Sequence, residues 1–253
     1  MRIQIVLLLV LNLICCDKID DASNISCTQN CSTINYKFVS TSNQPLNNIH
    51  VKVEYLKSRG SLGGYQRRIL VDEKSNSIGE VFKRFFIKNE ELGSTSGWFN
   101  ISIDDSNLNN NKYITSSNGV SGFGTVLGST IYSIVNRDTI ISNEYYFPKK
   151  AFVKVHLNNF SAQHPNDYFE VQSMYPFGKR TNELSNLNSY YSSGFSGWGV
   201  WKSTEINKTF LVYVAESENN IIRIRRRKNN IDYFEDVHIY VPANNNIQLT
   251  LDF

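Results

Sequence analysis

The chain is 253 residues long and carries 26 Lys and Arg against 23 Asp and Glu, a formal charge of +3. A balance this close to neutrality argues against a dedicated nucleic-acid binder, whose phosphate contacts demand a strong cationic surplus. The sequence is rich in Asn, Ser and Tyr and poor in Ala, a composition that favours short strands and polar turns over long helices.

At the N-terminus, Met1-Arg2 supplies one positive charge, and Ile3 to Ile14 form an apolar run broken only by Gln4 and Asn12. A run of about twelve residues suits the hydrophobic region of a signal peptide and falls short of the roughly 20 needed to span a bilayer. Leu13-Ile14-Cys15-Cys16 is similar to a lipobox, which implies cleavage after residue 15 and acylation of Cys16. Free secretion is the alternative, although small residues are not well placed for an ordinary secretory cleavage site. Lys18 followed by Asp20-Asp21 resembles the export tag that sends Bacteroidetes lipoproteins to the outer face of the outer membrane. The expected organisation is a lipoprotein signal peptide over residues 1–15 and a lipidated polar tether over 16–30. The membrane is then a partner through Cys16, held by more than one acyl chain, since one chain alone is marginal.

Cys27 and Cys31 are the cysteines left in the body of the mature chain. A three-residue spacer with no second Cys pair and no clustered His cannot complete a four-ligand zinc site. In an oxidising compartment a small local disulfide is one reading, and two free thiols the other.

From there the chain reads as strands. Thr33 to Val39 and Ile49 to Tyr55 alternate apolar and polar residues at period two, joined by the turn Ser42-Asn43-Gln44-Pro45-Leu46. Further candidates are Gln66 to Val71, Glu80 to Ile87, Trp98 to Ile103 and Thr139 to Phe147, with one helical turn over Lys88 to Leu92. Pro148 marks the expected domain boundary. A second series follows: Ala151 to Leu157, Tyr168 to Gln172, Thr209 to Ala215, Ile221 to Arg226, Asp232 to Tyr240 and Ile247 to Phe253. The predicted fold is all-β, with two tandem antiparallel β-sandwiches over residues 31–147 and 148–253.

The stretch Asn43-Gln-Pro-Leu-Asn-Asn-Ile-His-Val-Lys-Val53, with Gly79 opening a strand after the polar Asp72 to Ser77, resembles the carboxypeptidase-regulatory-like, or transthyretin-like, sandwich. The resemblance covers roughly Cys31 to Ile103 and implies a binding or scaffolding module without catalysis. Such domains are common near the N-termini of Bacteroidetes surface lipoproteins.

Catalytic patterns are not found. Gly93-Ser-Thr-Ser-Gly97 places Thr95 where a nucleophile elbow needs Ser, and His50, His156, His164 and His238 lack metal-ligand spacing. No cofactor or metal is expected. Asp105-Ser-Asn107-Leu-Asn109 opens like a calcium loop, but Asn110 and Ser116 stand where Gly and a bidentate Glu are required, so it reads as a polar turn.

The most distinctive stretch runs from Tyr190 to Trp201. There Tyr190, Tyr191, Trp198 and Trp201 on a Gly/Ser-rich loop are candidates for stacking on sugar rings, or else for filling the second core. Ile221 to Lys228 puts Arg223, Arg225 and Arg227 on one side of a strand. This row could meet anionic glycans or headgroups, or pair with acids such as Glu235 and Asp236 on the next strand. Three functional classes follow: a non-catalytic surface lipoprotein, a glycan-binding protein using residues 190–201, and a secreted enzyme of unrecognised type. The candidate ligand is a glycan or another surface protein.

Overall fold

The computed structural model describes residues 19–21, 27–60, 64–93, 97–118, 127–180, 197–205 and 207–252. The strands in chain order are β1 (Ile19–Asp21), β2 (Ser32–Val39), β3 (His50–Ser58), β4 (Tyr65–Lys74), β5 (Glu80–Phe85), β6 (Gly97–Asp104), β7 (Gly128–Ile131) and β8 (Ile140–Tyr146). They continue with β9 (Lys150–Asn158), β10 (Tyr168–Tyr175), β11 (Gly178–Arg180), β12 (Gly197–Ser203), β13 (Thr209–Ala215), β14 (Asn219–Lys228), β15 (Ile231–Tyr240) and β16 (Asn246–Asp252). The helical turn expected near Lys88 is a 3₁₀ turn at Asn89–Glu91. Among the described residues no helix is long and apolar enough to cross a membrane.

The protein is all-β, with four sheets that form tandem sandwiches. Their strand orders are β1-β4-β3-β6-β7, β11-β8-β2-β5, β12-β10-β14-β15 and β13-β9-β16. Set side by side, these orders describe one topology used twice. With β1 and β11 set apart, β2 to β8 form a seven-strand unit, and β9, β10 and β12 to β16 form another. In each unit one sheet holds the last strand, the first and the fourth, while the other runs third, second, fifth, sixth. The first and last strands pair in parallel in both units, β2 with β8 and β9 with β16. Apart from a third parallel pair, β1 with β4, the remaining pairings are antiparallel.

Period-two alternation explains the cores. Ile34, Tyr36 and Phe38 of β2 turn inward against Val51 and Val53 of β3 and Phe99 and Ile101 of β6. In the second unit Val153, Val155 and Leu157 of β9 meet Phe169, Val171, Ile222 and Ile224. Successive side chains of a strand point to opposite faces, so one register choice buries each whole set. Val51 and Ile101, for example, are almost wholly removed from water.

Asn richness has a local cause. Of the ten non-glycine residues with positive φ among those described, eight are Asn, because its short side chain supports the left-handed conformation. Asn229 and Asn230, with φ of 52° and 62°, form the two-residue turn between β14 and β15. Two left-handed residues give the turn twist that matches a hairpin. At Gly79 (φ +77°) a Cβ would lie 2.4 Å from the Phe38 carbonyl oxygen, so this site requires glycine. Gly79 does stand just before a strand, but Asp72 to Lys74, expected in the preceding loop, continue β4.

The two cores are not independent along the chain. Tyr175, Phe177 and Ala215, all beyond Pro148, belong to the first core cluster. β11 crosses over and pairs antiparallel with β8, and the Phe177 ring stands edge-on to Phe147 at 5.5 Å. Arg180 donates to Glu144 and Asn43, and the Tyr146 hydroxyl donates to Glu218 at 2.6 Å. Backbone amides of Lys149 and Lys150 donate to Thr41 Oγ1 and the Lys112 carbonyl. The units are therefore clamped together on several sides.

Candidate functional site

The two stretches singled out in the sequence meet in one sheet. β12 carries Trp198 and Trp201, β14 carries the basic run, and β10 lies between them. Gly197–Ser203 is thus a strand rather than the end of a long loop, paired residue by residue with β10: Met174 opposite Trp198 and Val171 opposite Trp201. Glycine is poorly suited to strands, which is why this segment reads as a loop in sequence. Tyr190 and Tyr191 lie outside the described residues, so the four aromatic candidates are not assembled into a described surface.

The basic run resolves clearly. Ile222 and Ile224 are buried in the second core, while Arg223, Arg225 and Arg227 occupy the other face of β14. The hairpin register sets Arg223 directly opposite Asp236, and its Nε and Nη2 donate to the two carboxylate oxygens at 2.7 Å each. Arg225 makes a similar two-point contact with Asp232, at 3.2 and 2.9 Å, and Arg226 donates to Glu235 at 2.8 Å. In the Arg223 and Arg225 pairs, two parallel bonds fix orientation as well as charge. The Asp236 carboxyl is held below the usual carboxylate range, chiefly by its bonds from Arg223. Of the two readings of this row, pairing with acids on the next strand is the one observed, through Asp236 and Asp232. Glu235, also expected there, lies opposite Ile224 on the other face and takes Arg226 instead.

Strand register also places Glu170 of β10 beside Arg225. The Arg225 guanidinium lies between two rings, 5.2 Å from Tyr168 and 5.5 Å from Phe234. Phe234 is 60% exposed. The sheet face is thus a lattice of mutually neutralised charges interleaved with aromatic rings, a surface suited to polar and stacking contacts more than to attracting an anion. Tyr168, Glu170 and Phe234 are the members that sequence reading missed. They are remote from Arg225 in sequence and become neighbours only through strand pairing.

At one end of this sheet a cleft of about 430 Å³ is lined by Pro165, Asn166, Asp167, Tyr168, Thr204 and Arg227. Asp167 is buried there. Burial pushes its pKa up, but backbone amides from Gln163, His164, Asn229 and Asn230 outweigh this and hold the carboxyl below its ordinary value. The Gln163 and His164 amides donate to its Oδ2 at 2.9 and 3.0 Å, so it holds the turn that leads into β10.

The remaining candidates stay local. Asp105 is buried and accepts a bond from the Ser116 amide at 2.6 Å, while Asp104 and Asn109 accept from Ser106 and Asn111. These oxygens hold the turn. Among the described residues no three His, Cys, Asp or Glu side chains gather as a metal site. His50 contacts Asp72 and His156 contacts Thr209, on different sheets. Cys27 and Cys31 form a disulfide, with Cα atoms 5.9 Å apart. Cys16 lies outside the described residues.

No family model matches the chain, and no curated protein matches it. Among solved structures it is similar to the Streptococcal ancillary pilin, at 10% identity and a TM-score of 0.31, covering 90% of this chain and 63% of that one. It is also similar to a shaft pilin from Lactobacillus rhamnosus GG, at 7% identity and a TM-score of 0.28, covering 88% and 98%. A third is a candidate cell-adhesion protein from Bacteroides ovatus, at 8% identity and a TM-score of 0.27, covering 90% and 93%. The chain spans less than two thirds of the ancillary pilin's length. At these scores the likenesses carry neither fold nor function, and the architecture above rests on strand pairing alone.

Proposed function

We propose that this chain is a non-catalytic, lipid-anchored surface module whose tandem sandwiches, split near Pro148, act as a stiff spacer or scaffold at the outer face of a membrane. The observation that carries the scaffold reading is the clamp between the units. A strand from beyond Pro148 completes the first unit's sheet, and two aromatic residues from beyond Pro148, Tyr175 and Phe177, enter its core. A shared sheet and a shared core resist relative motion far better than a flexible linker does. The lipid reading is supported by Leu13-Ile14-Cys15-Cys16 and by the polar tether that follows.

Intact mass of the membrane-extracted protein tests it. The expected species begins at Cys16 and carries the mass of two or three acyl chains, while Cys16→Ala keeps the precursor mass and loses acylation. A wild type at precursor mass, or one lacking acyl mass, would sink the anchor reading.

A further inference from the structure

The repeated topology exposes a mismatch at the sheet edges. In the first unit the outer edge of the last strand, β8, is occupied by the antiparallel strand β11. Its counterpart in the second unit, β16, pairs with β9 alone, so among the described residues its outer edge is open. An open edge is a row of unpaired amides and carbonyls, which proteins usually guard with charge, proline or a bulge. β15 carries Asp232, Glu235 and Asp236, and β5 carries Glu80, Lys83 and Arg84. β16 reads Asn246-Ile-Gln-Leu-Thr-Leu-Asp252, with no cation or proline and its single charge at the last position. The edges β13 and β7 also lack charge, but their counterparts in the other unit, β5 and β15, are edges too, whereas the counterpart of β16 is covered.

The core beneath this edge is also incomplete. Ile247, Leu249 and Leu251 of β16, with Val237 and Ile239 of β15, are only partly buried against the second core. On β8, Ile141 and Tyr145 are buried.

We propose that β16 pairs with the β16 of a second copy, antiparallel about Leu249, extending β13-β9-β16 into a six-stranded sheet across a two-fold axis. The strand is self-complementary in that register. Leu249 meets its own mate, Ile247 faces Leu251, and Gln248 faces Thr250, so apolar residues meet on one face and neutral polar residues on the other. A two-fold contact needs such a self-matching patch. β8 supplies the precedent within the molecule, since its equivalent edge already accepts an antiparallel strand.

Sedimentation mass of the purified full chain, compared with a Gln248→Lys/Thr250→Lys variant, decides the matter. Both positions are exposed, and the substitution would place four lysines about the axis without touching the core. The wild type is expected at twice the protomer mass and the variant at half that, with the variant's far-UV β-sheet signal unchanged and its thermal midpoint lowered toward that of dilute wild type. Hydrogen exchange of the wild type provides a check independent of the variant: β16 amides should gain protection as concentration rises. A wild type that stays monomeric, including one that takes up a foreign extended peptide, overturns self-pairing. So does a dimer that survives the two lysines, or β16 protection that does not depend on concentration.

Discussion

At the scale of single residues, the group most exposed to failure is the buried ion pair of Arg68 and Glu91, whose side chains are 6% and 4% exposed. Arg68 Nε donates to Glu91 Oε1 at 2.7 Å and Nη2 donates to Oε2, while a further bond reaches the Phe86 carbonyl at 3.1 Å. Glu91 also accepts the Lys88 amide at 2.9 Å, closing the 3₁₀ turn at Asn89–Glu91. Every exposed cost of burying these charges is met by a partner, so removing one partner leaves the other charged and unsatisfied. Glu91→Ala should therefore lower unfolding free energy by about 3–5 kcal/mol, measured by urea titration. Arg68→Met/Glu91→Leu, which removes both charges and keeps volume, should lose much less. Equal losses in the two variants would show that packing, rather than charge, dominates the site.

At the scale of elements, the β14–β15 hairpin links charge to acidity. The bonds from Arg223 lower the Asp236 pKa in the folded state relative to the unfolded chain. A carboxyl depressed in this way contributes stability above the ordinary carboxylate pKa, and that contribution is lost as pH falls through the depressed value. Because Asp236 is 36% exposed, solvent screening keeps the contribution small. In an acid titration followed by NMR, the Asp236 midpoint should rise toward the ordinary aspartate value in Arg223→Gln. An unmoved midpoint would mean that the bidentate contact does not hold in solution. The hairpin also shows what sequence can carry. Its alternating Ile and Arg and the pairing of that row with an acid at Asp236 were readable, because both follow from period two. Asp232, which takes Arg225, and the Asn229-Asn230 turn were not singled out. Four elements were not. β1 and β11 have three residues each, β7 begins with Gly128, and β12 is spaced by glycines, so none alternates long enough to stand out. The stacking of Arg225 between Tyr168 and Phe234 was hidden for a different reason. It depends on which strands become neighbours, and register across distant segments leaves no local trace.

At the scale of the whole molecule, the repeat and the clamp make opposite demands. Two units of one topology with separate cores would unfold one after the other, whereas shared structure joins them into one cooperative block. One part of the shared structure falls in a short span, Phe177 to Arg180, and can be removed on its own. Phe177 is 1% exposed and packs on Phe147, and Arg180 ties β11 to Glu144 and Asn43. The second core, built around Val153, Val171, Ile222 and Ile224, includes neither residue. Phe177→Ala/Arg180→Ala should thus weaken the first unit, by about 3–5 kcal/mol from the buried ring alone, and leave the second nearly untouched. Differential scanning calorimetry should show one transition for the wild type and two for the variant, the earlier one belonging to the unit of β2 to β8. Tryptophan fluorescence of Trp98 on β6, with Trp198 and Trp201 replaced by Phe, would report which unit melts first. If the variant instead unfolds in one step at a lower temperature, the units are coupled by the backbone bonds around Lys149 and Lys150 rather than by β11, and the stiffness of the spacer resides there.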